Sequence, residues 1–390
     1  MTRNHLWLAS LFIATLSLGT DEFVIAGVLT PVAADLEIST GAAGQLVTAF
    51  ALAFALGAPV LAVWLDRHPR RPVLCGGLAI FALANLGCAA VDDFPALLAL
   101  RILAGLSAAA VSTSAFAIAA AGAPRGRQGT YLSVVTAGLT VALFTGVPIG
   151  AWIADVFNWR ATFVLIAVVA AAAALTAFST LPPLPGAAPA PLSERLAPLR
   201  HPSVLRMVAA IFLCGTGGLM FYTYLGPITE RTTGSDEHLP LLLLLTGLVG
   251  VGAALGGGRL SDRFGPRRSR VIVITGHAAA LAVLALLAGY GAPIWAFAAI
   301  VAVWSLFAWA LNPPMQASTI AAAPDAPMTA VSLNITGLYA GTAIAGALGG
   351  LALDHLGPQA IPVIGALALA AAGVIASPAT RPGRLVGSRA

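Results

Sequence analysis

The sequence predicts an all-α membrane protein: twelve transmembrane helices in two pseudo-symmetric six-helix halves. Three observations carry that expectation. Apolar residues make up 59% of the 390 and charged residues only 9%, where a soluble domain carries roughly a quarter charged residues. Twelve apolar stretches follow one another along the chain. The loop after the second, Ala62 to Arg71, holds Asp66, Arg67, Arg70 and Arg71, and the loop after the eighth, Gly258 to Arg268, repeats it with Asp262, Arg263, Arg267 and Arg268. Parallel halves of this kind place a substrate site near the bilayer midplane between them.

In order, the spans fall near residues 6–28, 43–64, 72–90, 96–120, 130–153 and 160–180, then 204–226, 239–258, 270–289, 294–316, 328–351 and 358–377. Each comes close to the roughly 20 residues that cross a hydrocarbon core. The first follows a single arginine and has no small-residue cleavage site, so it reads as a retained span rather than a signal peptide. The second and eighth end in the acid-and-arginine loops. The fourth carries Arg101 one turn in, behind Asp92 and Asp93. The fifth holds Gly146, Pro148 and Gly150, then Asp155; the eleventh echoes it with Gly346, Gly349 and Gly350, then Asp354. Leu181 to Pro202 is the one break in composition, with six prolines between Pro182 and Pro198 that keep a linker extended. Residues 1–180, 181–203 and 204–390 are thus read as the N-terminal half, a cytoplasmic linker and the C-terminal half.

The net charge of +5 could suggest nucleic acid, but its placement argues otherwise. With the N-terminus cytoplasmic, 17 of the 20 basic residues fall on the inner side, which places both termini inside. The chain has no lysine, which removes the phosphate-loop lysine and Schiff-base chemistry. No stretch is long enough for a soluble catalytic domain, so no enzyme chemistry is expected. Cys75, Cys88 and Cys214 are scattered and form no metal-binding spacing or disulfide framework. No metal or cofactor is expected, and the proton gradient is the expected energy source.

Asp21 and Glu22 lie within the first span. An ionised carboxylate there costs several kcal/mol, so intramembrane acids usually mark ion or substrate paths. Adjacent positions point about 100° apart, so one cannot replace the other. Glu22 shares a stripe with Thr15, Gly19 and Ala26, and Asp21 one with Ser10, Ala14 and Ser17; both stripes look small and polar enough to line a cavity. The alternative is a hydrated pair near the outer interface. Arg101 either faces a cavity and pairs with an acid, or snorkels to outer-side water. Glycines four apart recur at Gly146/Gly150, Gly252/Gly256, Gly337/Gly341 and Gly346/Gly350, a spacing that lets helix backbones pack closely in lipid. Phe144, Phe221, Tyr222, His277, Trp304, Asn312, Asn334 and Tyr339 are candidates to line a substrate cavity. His277 also reads as a hydrogen-bonded packing residue, and Tyr224 beside Gly226 and Pro227 as an interfacial anchor. Asn312, Pro313 and Pro314 should break the tenth span locally.

These residues resemble the major facilitator superfamily, and within it the twelve-span drug:proton antiporters of the bacterial chloramphenicol-resistance and arabinose-efflux type. The resemblance covers nearly the whole chain. It rests on Gly19 to Gly27 with Asp21 and Glu22, both arginine loops, Arg101 to Gly105, Gly146 to Gly150, and Asn158 to Phe163. The first arginine loop departs from the family pattern, with Ala62 and Pro69 where glycines are usual. The resemblance implies proton coupling at Glu22, with Asp21 and Arg101. It implies that the arginine loops latch the halves, Asp66 meeting the start of span eleven near Thr329 and Asp262 the start of span five near Thr130. It makes Gly138, Gly146, Pro148 and Gly150 the antiporter-motif packing of span five.

The expected function is proton-coupled efflux of a small, largely apolar organic compound by alternating access. The expected partners are that small molecule, protons and the bilayer, with no nucleic acid and a working monomer. The expected location is a bacterial inner membrane. A carrier for a polar metabolite such as a sugar or nucleoside, and a non-transporting membrane sensor, are the alternatives.

Overall fold

The computed structural model describes residues 6–65, 68–124, 128–182, 184, 193, 200–323 and 327–377, with backbone only at 62, 63, 128–130, 133, 327 and 328. Asp66 and Arg67, and most of the linker, lie outside the described residues. The rest is helical, with no strand among the described residues.

The N-terminal half comprises α1 (Leu6–Phe23), α2 (Ile25–Asp35), α3 (Thr40–Ala43), α4 (Gln45–Leu65), α5 (Arg70–Ala90), α6 (Phe94–Gly122), α7 (Gln128–Phe144), α8 (Gly146–Val156) and α9 (Trp159–Thr180). The C-terminal half comprises α10 (Pro202–Thr223), α11 (Leu225–Thr233), α12 (Leu239–Phe264), α13 (Pro266–Tyr290), α14 (Ile294–Trp309), α15 (Asn312–Ala322), α16 (Pro327–Leu356) and α17 (Ala360–Ala376). Among the described residues, ten helical runs are long and apolar enough to cross a membrane, and α1 with α2, bent by 50°, supplies an eleventh; the 17-residue α17 is a shorter apolar helix at the place of the predicted twelfth span.

Several spans are broken, and proline explains three of the breaks. Pro148, Pro227 and Pro314 have no N–H to give to Phe144, Thr223 and Ala310, the carbonyls four residues back. Helix boundaries fall beside them at Thr145, Tyr224 and Leu311. The break expected at Asn312 is therefore present. Span one runs on to Asp35 and span seven to Thr233, both further than the hydropathy pattern suggested.

The two halves pack alike. Span one lies on span five, two on four, three on six and three on four; in the second half seven lies on eleven, eight on ten, nine on twelve and nine on ten. Between halves, span two (α3, α4) meets span eleven (α16), and span five (α7) meets span eight (α12).

The far end, opposite the linker, is tied together by the Asn158–Phe163 motif. Asn158 Oδ1 accepts from the Ala161 N–H and caps α9. Arg160 bridges Asp35 at the end of α2 (2.5 Å) and Asp92 before α6 (2.7 Å). Trp159 Nε1 donates to the same Asp35 (3.2 Å), and Thr162 Oγ1 to the Gly150 carbonyl (2.8 Å). Four helices are thereby fixed around the far end of span one.

Not every glycine pair packs. Gly146 and Gly150 abut Thr20 and Val24 of span one; Gly346 and Gly350 abut span two; Gly337 and Gly341 abut α10. Gly252 and Gly256 face open space, and on α12 it is Gly247, Gly250 and Gly257 that meet neighbours. The four-residue spacing alone picked the wrong face of that helix.

Candidate functional site

Span one carries both acids into the middle of the bundle. Because α2 continues past them to Asp35, the pair does not sit at a hydrated interface. Asp21 is fully buried, and its Oδ1 accepts from Arg101 Nη1 at 2.7 Å. Arg101 is equally buried, so it pairs with an acid and does not snorkel. Gly105, one turn on, lets α6 close against the Phe50 carbonyl of α4. The guanidinium lies over the Phe50 ring at 4.5 Å and 5.9 Å from the Phe163 ring, and Nε donates to the Leu46 carbonyl (3.5 Å). Asp21 Oδ2 has no hydrogen-bond partner among the described residues.

Glu22 points elsewhere. Its Oε2 accepts from the Tyr339 hydroxyl of α16 at 2.7 Å, a bond between the two halves. The Tyr339 ring stacks on Phe54 of α4, centroids 3.8 Å apart and planes 14° apart. Tyr339 is thus a carboxylate partner rather than simply a cavity wall, and Phe54 is a neighbour that no charge or motif in the sequence signalled.

The polar stripes of α1 do not line a cavity. Thr15 Oγ1 donates to the Val135 carbonyl of α7 (2.8 Å), and Gly19 lies against Leu139 and Ala142. Ser10 and Ser17 are buried and donate to their own helix at Trp7 and Ala14. The cause is packing in lipid, where small residues let backbones approach. Gly138 fits against Phe12 and Thr15, Gly146 against Thr20 and Gly150 against Val24. The residues assigned to the antiporter motif therefore form the seat on which span one, with its two acids, rests.

The aromatic candidates cluster beside Glu22 on the C-terminal half. Phe221 and Trp304 lie 4.8 Å apart, Tyr222 stacks on Trp304 (6.3 Å, 17°), and His277 meets Trp304 edge-on at 6.0 Å. Phe23 of α1 reaches across to Tyr222 (5.9 Å) and Trp309 (5.3 Å). Phe221, Tyr222, His277 and Trp304 are buried against one another and do not face an open space. His277 is not hydrogen-bonded as a packing histidine would be: among the described residues both ring nitrogens lack partners, as do Trp304 Nε1, Trp309 Nε1 and Asn334 Oδ1. Asn334 Nδ2 donates to Thr319 (3.3 Å), while Asn312 is exposed at the start of α15 and Phe144 sits beside Gly247 of α12. Tyr224 is no interfacial anchor. It is fully buried, because span seven runs nine residues beyond it, and its hydroxyl donates to the Gly346 carbonyl (2.7 Å).

The latch residues divide. Asp262 and Arg263 are exposed at the end of α12, Arg267 and Arg268 at the start of α13. Asp262 makes no hydrogen bond or ion pair among the described residues, and the side chain of Thr130, near which span five was expected to meet it, lies outside them. Arg71 instead donates to the Phe178 carbonyl and lies over the Phe178 ring (4.5 Å), at the end of span six. Arg270 does the same for span twelve, donating to the Ala376 carbonyl (2.6 Å). Cations suit the partial negative charge of a helix C-terminus. The Arg70 N–H donates to the Leu184 carbonyl (3.1 Å).

Among the described residues, the polar ties between the halves run from the level of Glu22 to the far end. Ser39 Oγ donates to Asp354 Oδ2 (2.7 Å), Thr48 Oγ1 to the Ala343 carbonyl (2.8 Å), and Tyr339 to Glu22. Asp354 and Ser39 were not singled out as a pair, although Asp354 stood in the repeat.

Two six-helix halves enclosing a buried ion pair and an inter-half carboxylate define a multi-span membrane transporter. The chain belongs to the Major Facilitator Superfamily, whose family model matches residues 11–331. Members of this family are transporters, not enzymes. It is 30% identical to the inner membrane transport protein YdhP of Escherichia coli K12 over 366 residues, 92% of each chain. It is 32% identical to the chloramphenicol resistance protein of Streptomyces lividans over 357 residues, 89% of this chain and 90% of that protein. Among solved structures, the nucleoside transporter NupG matches with a TM-score of 0.76 at 12% identity, covering 96% of this chain and 98% of that one. An inward-facing bacterial homologue of the lysosomal transporter Spinster matches with a TM-score of 0.72 at 18% identity, covering 96% and 95%. At those identities the likeness shows the fold alone.

Proposed function

We propose that the protein exports a small, largely apolar organic compound in exchange for protons, by alternating access between the two halves. The observation that carries this reading is Glu22, a carboxylate beside the buried Asp21–Arg101 pair and bonded across the interface between halves. A carboxyl so placed can alternate between charged and neutral forms while the halves move. Phe23 of the first half covers Tyr222 and Trp309, so parting of the halves would uncover the edge of the adjoining aromatic cluster and offer apolar surface and ring N–H donors to a flat cargo. The chloramphenicol resistance protein among the relatives makes that compound a reasonable first probe.

The concentration of arginine around the linker end supports a cytoplasmic location for that end and both termini, in a bacterial inner membrane. On this reading the far-end contacts close the outer side. No cofactor is required beyond the proton gradient, and one chain contains the whole site, so a monomer suffices. The test is uptake of labelled chloramphenicol, or of any drug to which the protein confers resistance, into everted vesicles. Uptake should collapse with a protonophore; uptake that survives it and stops on ATP removal would contradict the reading.

A further inference from the structure

We propose that Tyr339 is the positioning residue that couples Glu22 to the opening of the halves, its hydroxyl and a proton competing across the interface for the same carboxylate. The inference rests on the proton-coupled reading above and names the contact through which the proton acts. Glu22 belongs to the first half and Tyr339 to the second, 317 positions on, so their 2.7 Å bond exists only while the halves are closed at this level. The hydroxyl is held in register by its own ring, which stacks on Phe54 of the first half. Outward of this level lie Thr48 to Ala343 and Ser39 to Asp354, so Tyr339 is the innermost of these three polar ties between span eleven and the first half.

A hydrogen bond to a carboxylate is roughly twice as strong as one between neutral groups. The tie is therefore strong when Glu22 is ionised and weak when it carries a proton. By linkage, the state that holds the tie discourages proton binding, and the state that has broken it permits it. The charged and titratable groups facing Glu22 are Asp21 beside it, Arg101 from α6, Tyr222 from α10 and Tyr339 itself. Arg101 is already engaged by Asp21, and Tyr222 belongs to the same half as Tyr339 but to the aromatic cluster. Of these, Tyr339 donates to Glu22 from the opposite half.

The test needs no cargo, because the proton is the ligand. Spin labels are placed on Phe157→Cys and Glu237→Cys, exposed sites on the far-end loops of the two halves. The background carries Cys75→Ser, since Cys88 and Cys214 are buried. Distances are measured in lipid nanodiscs from pH 5 to 9. In the otherwise unmodified protein the short-distance population should give way to a longer one as pH falls. Tyr339→Phe keeps the ring and its stack but removes the hydroxyl. It should lower the closed-to-open ratio at high pH about tenfold, the scale of one hydrogen bond to a charged group, and flatten the pH response. In a Glu22→Gln background the same substitution should add much less, which a merely structural role of Tyr339 would not produce. A Tyr339→Phe curve that tracks the parent overturns the inference and leaves proton coupling standing. A parent indifferent to pH overturns both, and that failure appears before any substitution at the site.

Discussion

A carboxylate locked to an arginine and a carboxylate held by a tyrosine respond differently to the same loss of charge. Asp21→Asn strands the Arg101 guanidinium without its partner in a fully buried site. Breaking a buried pair in this way costs about 3–5 kcal/mol, so the variant should melt earlier in detergent and express poorly. Glu22→Gln leaves the Asp21–Arg101 pair intact and keeps an acceptor for Tyr339, so its melting temperature should stay close to the parent's. It cannot carry a proton, and proton-driven uptake into everted vesicles should vanish while downhill exchange survives. Proton-driven uptake that persists in Glu22→Gln, at matched protein levels, would remove that residue from coupling. The importance of these three residues was legible in the sequence because charge in a span is costly and therefore rare. Their partners were not. Asp21 and Arg101 stand 80 positions apart, and nothing local in an apolar helix says which neighbour it meets. Tyr224 shows the opposite error: a tyrosine before glycine and proline looks like a span end, but here proline only breaks the helix, and the span continues.

At the scale of helices, close packing decides which glycines matter. At Gly350 a side chain would run into the backbone carbonyl of Gly41, where spans eleven and two cross, with the Tyr224 hydroxyl beside it. Gly252, on the open face of α12, has nothing near the place a Cβ would occupy. The two alanine variants therefore form a matched pair. Gly252→Ala should be neutral or stabilising, since alanine favours a helix over glycine by about 1 kcal/mol. Gly350→Ala should destabilise by about 1–3 kcal/mol through overpacking, and should hold the far side partly open by wedging the two spans apart. Melting temperature and exchange in proteoliposomes separate them. Equal behaviour of the two variants would mean that the span two–span eleven crossing carries little energy. The repeat of about 200 residues, the proline breaks and the general use of glycine were all readable beforehand. The face each glycine presents was not, because it depends on which two helices meet, and that follows from the arrangement of both halves.

In the whole molecule the same pairwise packing recurs in each half, so two similar units meet along two seams, span two with eleven and span five with eight. On the first seam Asp354, at the end of span eleven, lies over Gly41 and takes the hydroxyl of Ser39, the cap of α3. The arrangement parallels, on the far side, what the arginine loops were expected to do near the linker: an acid ending one span meets the start of another, where the helix dipole favours negative charge. The far-side contact is formed, and a rocking molecule has to break it once in every cycle. Covalently fixing the far contact should therefore stop the cycle. With Cys75→Ser as background, Ser39→Cys and Asp354→Cys would be joined by a short, reducible bis-thiosulfonate reagent. Exchange of labelled drug across proteoliposome membranes should fall to background after treatment and return when the link is reduced. Either cysteine alone, treated in the same way, should retain most of its activity. Binding of drug from the linker side should survive in the linked protein, because the fixed contact lies at the other end. Exchange that continues at the parental rate in fully linked protein would mean that the halves need not part between Ser39 and Asp354, and cargo would then have to leave by another route.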